Sequence, residues 1–362
     1  MMTINKLPVL VTAIGGAGHG EQILKALRLA AGDRYYLIGA DARQDCPQFA
    51  LVDKSATLPL ASDPGYVDAV LALCEQHGIK AVFHGCEPEL KRLSAARDAF
   101  AARGIFLPIN PAPLIELCMN KEAASHRLAA LGFDVPRFVR VSTVADLDAI
   151  DVFPVVVKPS VGSGGSANTF IAQDRRELLA LADYLDLAAA AAPFIVQEYV
   201  GTPDDEYTVG ILHDMDGQYL NRIAVQRQLS TALNLRTVVA NRTTRRELGP
   251  KLVISSGVSQ GRVGRFPAVT GPCADIARAL GARGAINIQC RLVNGRVRVF
   301  EINPRFSGTT SIRAMAGYNE PDVLIRRHIH GEPITVDFPY AEGVASRNLV
   351  ETWVPDTVAS HG

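Results

Sequence analysis

The sequence predicts two fold classes in succession, an α/β unit with a parallel sheet and then an α+β unit. Three observations carry this: strand and helix signals alternate up to about residue 110, the proline-punctuated joint Asn110-Pro111-Ala112-Pro113 interrupts the chain, and adjacent strand signals dominate beyond it. At 362 residues the chain exceeds one ordinary domain, so two or three packed units are expected. The expected division is 1–112, 113–340 and a tail over 341–362.

Pro8 to Ile14 is a short apolar run ending in Gly15-Gly16-Ala17-Gly18, and Glu21 to Ala31 follows with Ile23, Leu24, Leu27 and Ala30 at helical spacing. This is a strand, a glycine turn and a helix. Tyr35 to Gly39 reads as a second strand with Asp41 just past its end, Tyr66 to His77 as a helix, and Lys80 to Phe83 as a third strand. The glycine turn and the acid after the second strand resemble a dinucleotide site. However, Gly16-x-Gly18 is followed by His19, Gly20 and Glu21, so the last glycine of GxGxxG is missing. The first reading is a tight turn packing helix on strand, with substrate binding at the sheet edge or a nicotinamide cofactor as alternatives. Glu87 and Glu89 after the third strand either bind an amine at the sheet's carboxyl edge or begin a helix.

Beyond the joint, Leu114 to Leu131 reads as one helix, ended by Gly132 to Pro136. Strands are expected at Phe153 to Lys158, Thr169 to Ala172, Phe194 to Val200, Glu206 to Leu212, Tyr219 to Val225, Ala285 to Leu292 and Val297 to Asn303, with a helix at Cys273 to Leu280. Leu187 to Ala192 is an alanine-rich helical stretch, and the chain from Val354 onward is expected to fray.

Composition excludes several classes. Lys plus Arg and Asp plus Glu both number 37, which leaves no net field to gather a nucleic acid or an anionic membrane. The longest apolar stretch, Leu187 to Val196, is broken by Pro193 and falls short of the roughly 20 residues of a membrane span. The six cysteines form no CxxC pair and the histidines show no metal spacing, the pattern of reduced thiols in a cytoplasmic protein.

Three segments carry chemistry. Pro154 to Ala167 (PVVVKPSVGSGGSA) places Lys158 on a strand before a loop with Ser160, Gly162, Ser163, Gly164 and Gly165. Backbone N–H groups there can approach an anion, although GxxxxGK[ST] is absent. In Ile286 to Phe306, alternation puts Glu301, Asn303 and Arg305 on one strand face, a set of oxygen ligands and a guanidinium suited to magnesium and phosphate. A two-residue loop at Asn294-Gly295 would set Gln289 opposite Phe300, on the other face. A three-residue loop, Val293-Asn294-Gly295, would set it opposite Val299 and on Glu301's face, so a functional Gln289 predicts the bulged loop with Gly295 at positive φ. The third segment, Phe194 to Val209, ends a strand in Gln197, Glu198, Tyr199 and Val200 before the acids Asp204, Asp205 and Glu206.

The order Lys121, Lys158 before a glycine loop, Gln197-Glu198 at a strand end, and Gln289 followed by Glu301-x-Asn303-x-Arg305 resembles the ATP-grasp superfamily. It is most similar to a single synthetase unit of the carbamoyl phosphate synthase large subunit. The resemblance covers about residues 5 to 330 and implies an ATP-grasp fold behind a Rossmann-like pre-ATP-grasp domain, with a lid over about 135–200. It implies ATP and one or two magnesium ions, with manganese as a substitute. By it, Lys121 and Lys158 contact phosphates and the adenine side, and the loop Ser160 to Ser166 closes over the phosphates as a lid. Gln197 and Glu198 to Val200 hold adenine, Glu206 or Asp205 the ribose, and Gln289, Glu301 and Asn303 the metal. Arg305 faces the transferred phosphoryl group or the carboxylate it joins, and is catalytic with Lys158.

The implied reaction activates a carboxylate to an acyl phosphate that an amine attacks, releasing ADP and phosphate. A two-unit synthase would not fit in this length, and Asn120-Lys121 replaces the family's Asp-Lys, so a stand-alone carboxylate-amine ligase is expected. Its partners would be a small carboxylate and an amine, with a homodimer compatible. Glu87, Arg262, Ser307, Gly308 and Thr309 are candidate substrate contacts. Arg227, Arg236 and Arg265 lie in the same stretch, and each of these arginines, Arg262 included, reads first as an exposed surface side chain. A non-catalytic nucleotide sensor and a nicotinamide-dependent oxidoreductase are the competing functions.

Overall fold

The computed structural model describes residues 6–16, 18–161, 168–186 and 193–352. Gly162, Ser163, Gly164 and Gly165 of the expected phosphate loop, the helical stretch 187–192 and the chain from 353 onward lie outside the described residues.

The first four strands, β1 (Leu7–Val11), β2 (Tyr35–Asp41), β3 (Lys54–Thr57) and β4 (Ala81–Phe83), form a parallel sheet in the order β3-β2-β1-β4. Helices α1 (His19–Arg28), α2 (Tyr66–His77), α3 (Glu87–Ala95) and the short α4 (Arg97–Ala101) accompany it. Asp41 accepts from Gly15 N at 2.8 Å and from Arg43 N at 3.1 Å, so the acid after β2 braces the glycine turn. Asn110, 1% exposed, pins the joint: its amide donates to the carbonyls of Ala285 and Pro304 and its oxygen accepts from Arg283 N.

The expected single helix from Leu114 to Leu131 is instead two, α5 (Ala112–Met119) and α6 (Lys121–Ala130). The break is Asn120, which leaves helical geometry (φ −110°, ψ 105°) to cap α6 by accepting from Ala123 N. That capping oxygen ends one helix and starts the next without a proline or glycine.

An antiparallel sheet follows, of β5 (Phe138–Val141), β6 (Val155–Pro159), β7 (Phe170–Ala172) and β8 (Phe194–Glu198) in the order β5-β8-β6-β7, backed by α7 (Arg175–Tyr184). The remaining strands are β9 (Glu206–His213), β10 (Tyr219–Arg227), the separate hairpin β11 (Leu235–Ala240) and β12 (Lys251–Ser255), then β13 (Gly261–Gly264), β14 (Ala285–Val293), β15 (Arg296–Asn303) and β16 (Gly343–Ala345). Six of them make one sheet, β15-β14-β9-β10-β13-β16. Its two faces carry α8 (Pro267–Ala279) on one side and α1, α9 (Thr310–Met315) and α10 (Glu320–His328) on the other. The tail therefore supplies an edge strand, β16, paired with β13.

The β14–β15 hairpin departs from both expected registers. Its loop has two residues, with Asn294 (φ 50°) and Gly295 (φ 75°) both left-handed and Val293 facing Arg296, as a type I′ turn requires. The three-residue loop is thus incorrect, yet Gln289 still faces Glu301, because the register shifts between Cys290↔Val299 and Gln289↔Glu301. Phe300 is the extra residue of a bulge that does the work assigned to the loop.

Arg313 is fully buried, donates to Glu320 at 3.1 Å and to Asn287 on β14 at 2.6 Å, and fills the space over Gly210 on β9. Removing it strands a buried carboxylate. Arg313→Ala is expected to cost about 3–5 kcal/mol of unfolding free energy, read by urea denaturation.

Candidate active site

A cleft of about 660 Å³ opens between the β5–β8 sheet and the β14–β15 hairpin. Lys121, Lys158, Gln197, Glu198, Tyr199, Val200, Glu206, Gln289 and Glu301 line it, so nine residues named from the sequence meet at one place. Val253, Ile254 and Ser255 of β12 close another wall; no motif in the sequence singled out this hairpin.

Lys158 is the centre. It leaves β6 toward β15, is 6% exposed, and donates to Gln197 Oε1 at 2.8 Å and to the Phe300 carbonyl at 3.0 Å. The Phe300 bulge supplies that carbonyl. Burial, with the charge of Lys121, pushes the ammonium down to about 8, against the pull of Glu301. Gln197 Nε2 is buried with no partner among the described residues, so a donor stands unused on this wall. Ser160 has its hydroxyl on Asn120 and its carbonyl on Lys121 N; it braces the start of α6 beside the loop.

At the far end of the cleft Glu198 accepts from Arg245 at 2.9 Å, and Arg291 lies over the Tyr199 ring at 4.5 Å. Glu206, 2% exposed, is held between Arg291 (2.9 Å) and Arg227 (3.2 Å). Burial pushes its carboxyl up, but the two guanidiniums outweigh this and hold it below the usual range. Asp205 turns away to accept from Thr202 and does not line the cleft. The surface reading of Arg227 is overturned: it is 4% exposed and also donates to Ser255, Ser256 and Val258.

A second cavity, of about 450 Å³, shares Lys121 and Glu301 with the first and adds Glu87, Asn303 and Arg305. The Asn303 amide lies 3.3 Å from Glu301, and Arg305 donates to Asn303 at 3.2 Å and to Glu87 at 2.7 Å. Glu87 comes from the first turn of α3, at the carboxyl end of β4. Glu89 is not a binder here: its oxygens accept from Thr12, Tyr66 and Gly85 N, so it is a buried brace. Arg262 is exposed on β13 and lines neither cavity. Ser307, Gly308 and Thr309 form a turn leading into α9, its two hydroxyls bonded to each other, and line neither cavity.

Gln289, Glu301 and Asn303 present one carboxylate and two amide oxygens. No cluster of three or more His, Cys, Asp or Glu suited to a metal occurs among the described residues. The donor set fits magnesium, which binds through one or two carboxylates and completes its shell with water and phosphate oxygens.

Lys158 gives a pH test. In the unfolded chain a lysine keeps its proton to about 10.4, so between about 8 and that value the unfolded state binds more protons and stability rises with pH. The unfolding free energy of the wild type minus that of Lys158→Met is expected to grow between pH 8 and 10, by up to about 3 kcal/mol. Parallel profiles in thermal or urea unfolding would remove the assignment.

Residues 253–349 match the family model "ATP-grasp in the biosynthetic pathway with Ter operon", and residues 10–108 match "PylC-like, N-terminal domain". The chain is 27% identical over 269 residues to the carbamoyl phosphate synthase large chain of Thermoplasma acidophilum, an alignment covering 71% of this chain and 24% of that one. It spans about a quarter of the length of the curated relatives it matches. Among solved structures, the biotin carboxylase of Campylobacter jejuni in complex with a β,γ-ATP superposes with a TM-score of 0.61 at 15% identity, over 90% of this chain and 71% of that chain. The L-amino acid ligase of Bacillus licheniformis gives 0.58 at 19% identity, over 89% and 74%. No helix among the described residues is long and apolar enough to cross a membrane. With a buried lysine facing a Gln-Glu-Asn-Arg strand face across a cleft between two sheets, the chain has an ATP-grasp fold, and it is similar to an ATP-grasp family over residues 253–349 and to a PylC-like N-terminal domain over residues 10–108.

Proposed function

We propose that this chain is an ATP-dependent carboxylate-amine ligase. One observation carries the reading: Lys158 and the strand face of Glu301, Asn303 and Arg305 converge where the two cavities meet, and Glu301 belongs to both. A protein that only bound a nucleotide would need the first cavity, not the polar face that continues into the second.

In this reading the nucleotide lies in the larger cleft, its base against Glu198 to Val200 and its ribose toward Glu206. Because both Glu206 oxygens already accept from arginines, the ribose hydroxyls meet a carboxylate fixed in place. Lys121 and Lys158, with the loop 160–165, face the phosphates. Gln289, Glu301 and Asn303 would hold magnesium, which supplies charge neutralisation on the phosphates. Arg305 orients the carboxylate that takes the phosphoryl group. Phosphoryl transfer needs alignment and charge stabilisation rather than a protein nucleophile, and this polar face offers both. The division of labour we propose is a pre-grasp unit over 1–112, a grasp unit over 113–340 with its lid over about 135–200, and a tail over 341–362. Small molecules are the partners; a homodimer is the assembly to test by sedimentation.

The experiment is ADP release with magnesium and ATP against pools of carboxylates and amines. Glu301→Ala is expected to lower carboxylate-dependent release at least about 100-fold while moving the unfolding free energy by less than about 1 kcal/mol. Unchanged turnover would remove Glu301 from the chemistry, and no release with any pair would favour the sensor.

A further inference from the structure

In the ligase reading the nucleotide and the carboxylate take the cleft and the Arg305 face, which leaves the amine a separate approach to the acyl carbon. The remaining side is the carboxyl edge of the N-terminal parallel sheet. There the order β3-β2-β1-β4 places a switch point between β1 and β4, where the loops following the two strands diverge. These loops touch backbone to backbone: Gly20 N donates to Gly85 O, and a Cβ at Gly85 would fall 2.1 Å from Thr12 O.

Two histidines flank this contact. His19 opens α1, His84 follows β4 directly, and their rings meet edge to face at 5.2 Å. Both are buried, at 7% and 1% exposure. His19 Nε2, both nitrogens of His84 and Arg305 Nε have no hydrogen-bond partner among the described residues. Burial and the nearby charge of Arg305 keep both imidazoles neutral, so each offers one N–H and one lone pair. Left unpaired, each of these four buried polar atoms would cost about 1–3 kcal/mol.

We infer that His19 and His84 form the subsite for the acceptor amine and hold its nitrogen uncharged beside the carboxylate activated at Arg305. The charge balance favours this: Arg305 is matched by Glu87 at 2.7 Å, and the Glu89 oxygens already accept from Thr12, Tyr66 and Gly85 N, so both of these neighbouring carboxylates are committed. A neutral amine donates its N–H to an imidazole lone pair and keeps its own pair for the acyl carbon. The C–N bond forms, the C–O bond to phosphate breaks, and the phosphate leaves with the electron pair and takes the nitrogen's proton.

The inference rests on the ligase reading, and two partial reactions separate them. Scrambling of the β,γ-bridging oxygen of labelled ATP, with each of the amino acids supplied as carboxylate, reports acyl phosphate formation without an amine. Hydroxamate formation with hydroxylamine, uncharged at neutral pH, reports the second step. His84→Phe is expected to raise the KM for hydroxylamine at least about tenfold while lowering carboxylate-dependent scrambling less than about twofold, and His84→Gln is expected to recover part of the loss. An unchanged hydroxylamine KM, or equal loss in both partial reactions, would overturn the subsite. Absence of scrambling in the wild type would overturn the ligase reading and this inference with it. If near-ultraviolet circular dichroism shows His84→Phe misfolded, His84→Gln and His19→Gln carry the same comparison.

Discussion

The candidate site depends on one extra residue. Between Cys290↔Val299 and Gln289↔Glu301 the ladder gains Phe300 on one strand only. Side chains alternate along a strand, so this insertion turns Glu301 and Asn303 onto the face that Gln289 shares. It also leaves the Phe300 carbonyl free of ladder pairing, and Lys158 takes it from the opposing sheet at 3.0 Å. A regular hairpin with the same type I′ turn would keep the fold and disperse the site. The turn and the bulge are separate devices, one fixing where the strands pair and the other which face the ligands occupy.

Burial of charge is the second constraint. Glu206 with Arg227 and Arg291, and Arg313 with Glu320, are ion pairs almost without solvent. Such pairs add little net stability, because desolvation cancels much of the attraction, but losing one partner leaves an uncompensated charge. They fix geometry. Arg227 fastens Glu206 to the segment 255–258, and Arg291 fastens it to the Val200 and Gly201 carbonyls, so the floor and the end of the cleft move together. The zero net charge of the chain conceals this local order.

Period and punctuation made much of this architecture legible. The parallel sheet of the N-terminal unit and helix α2 follow from alternation of runs, and the Glu301-Asn303-Arg305 face follows from strand periodicity. What escaped has physical reasons. Asn120 breaks a helix through a side-chain cap, which looks in sequence like any polar residue in an amphipathic run. The edge strands β3 and β16 are short and mostly exposed, so they carry little hydrophobic pattern, and the β11–β12 hairpin pairs a half-exposed strand with a short buried one. The register was misjudged because a bulge inside a strand has no turn residue to mark it. Arg227 read as a surface residue because its partner, Glu206, lies 21 residues away on the neighbouring strand.

The two cavities share Lys121 and Glu301, which gives the site a direction. In the proposed reading, base-facing residues stand at one end, phosphate- and metal-facing residues in the middle, Arg305 with Glu87 next, and the imidazole pair against the N-terminal sheet. In acyl transfer the amine adds to one face of the planar acyl group and the phosphate then departs, so the amine needs a route to that face separate from the nucleotide's. The N-terminal unit is therefore more than a support. Asn110 ties it to the Ala285 and Pro304 carbonyls, at the beginning of β14 and just past the end of β15. The wall carrying Glu87, His19 and His84 is thus registered to the same hairpin whose bulge brings Gln289, Glu301 and Asn303 to one face. A shift of one would be felt by the other, which is the physical reason to expect both halves of the reaction to depend on a single joint residue.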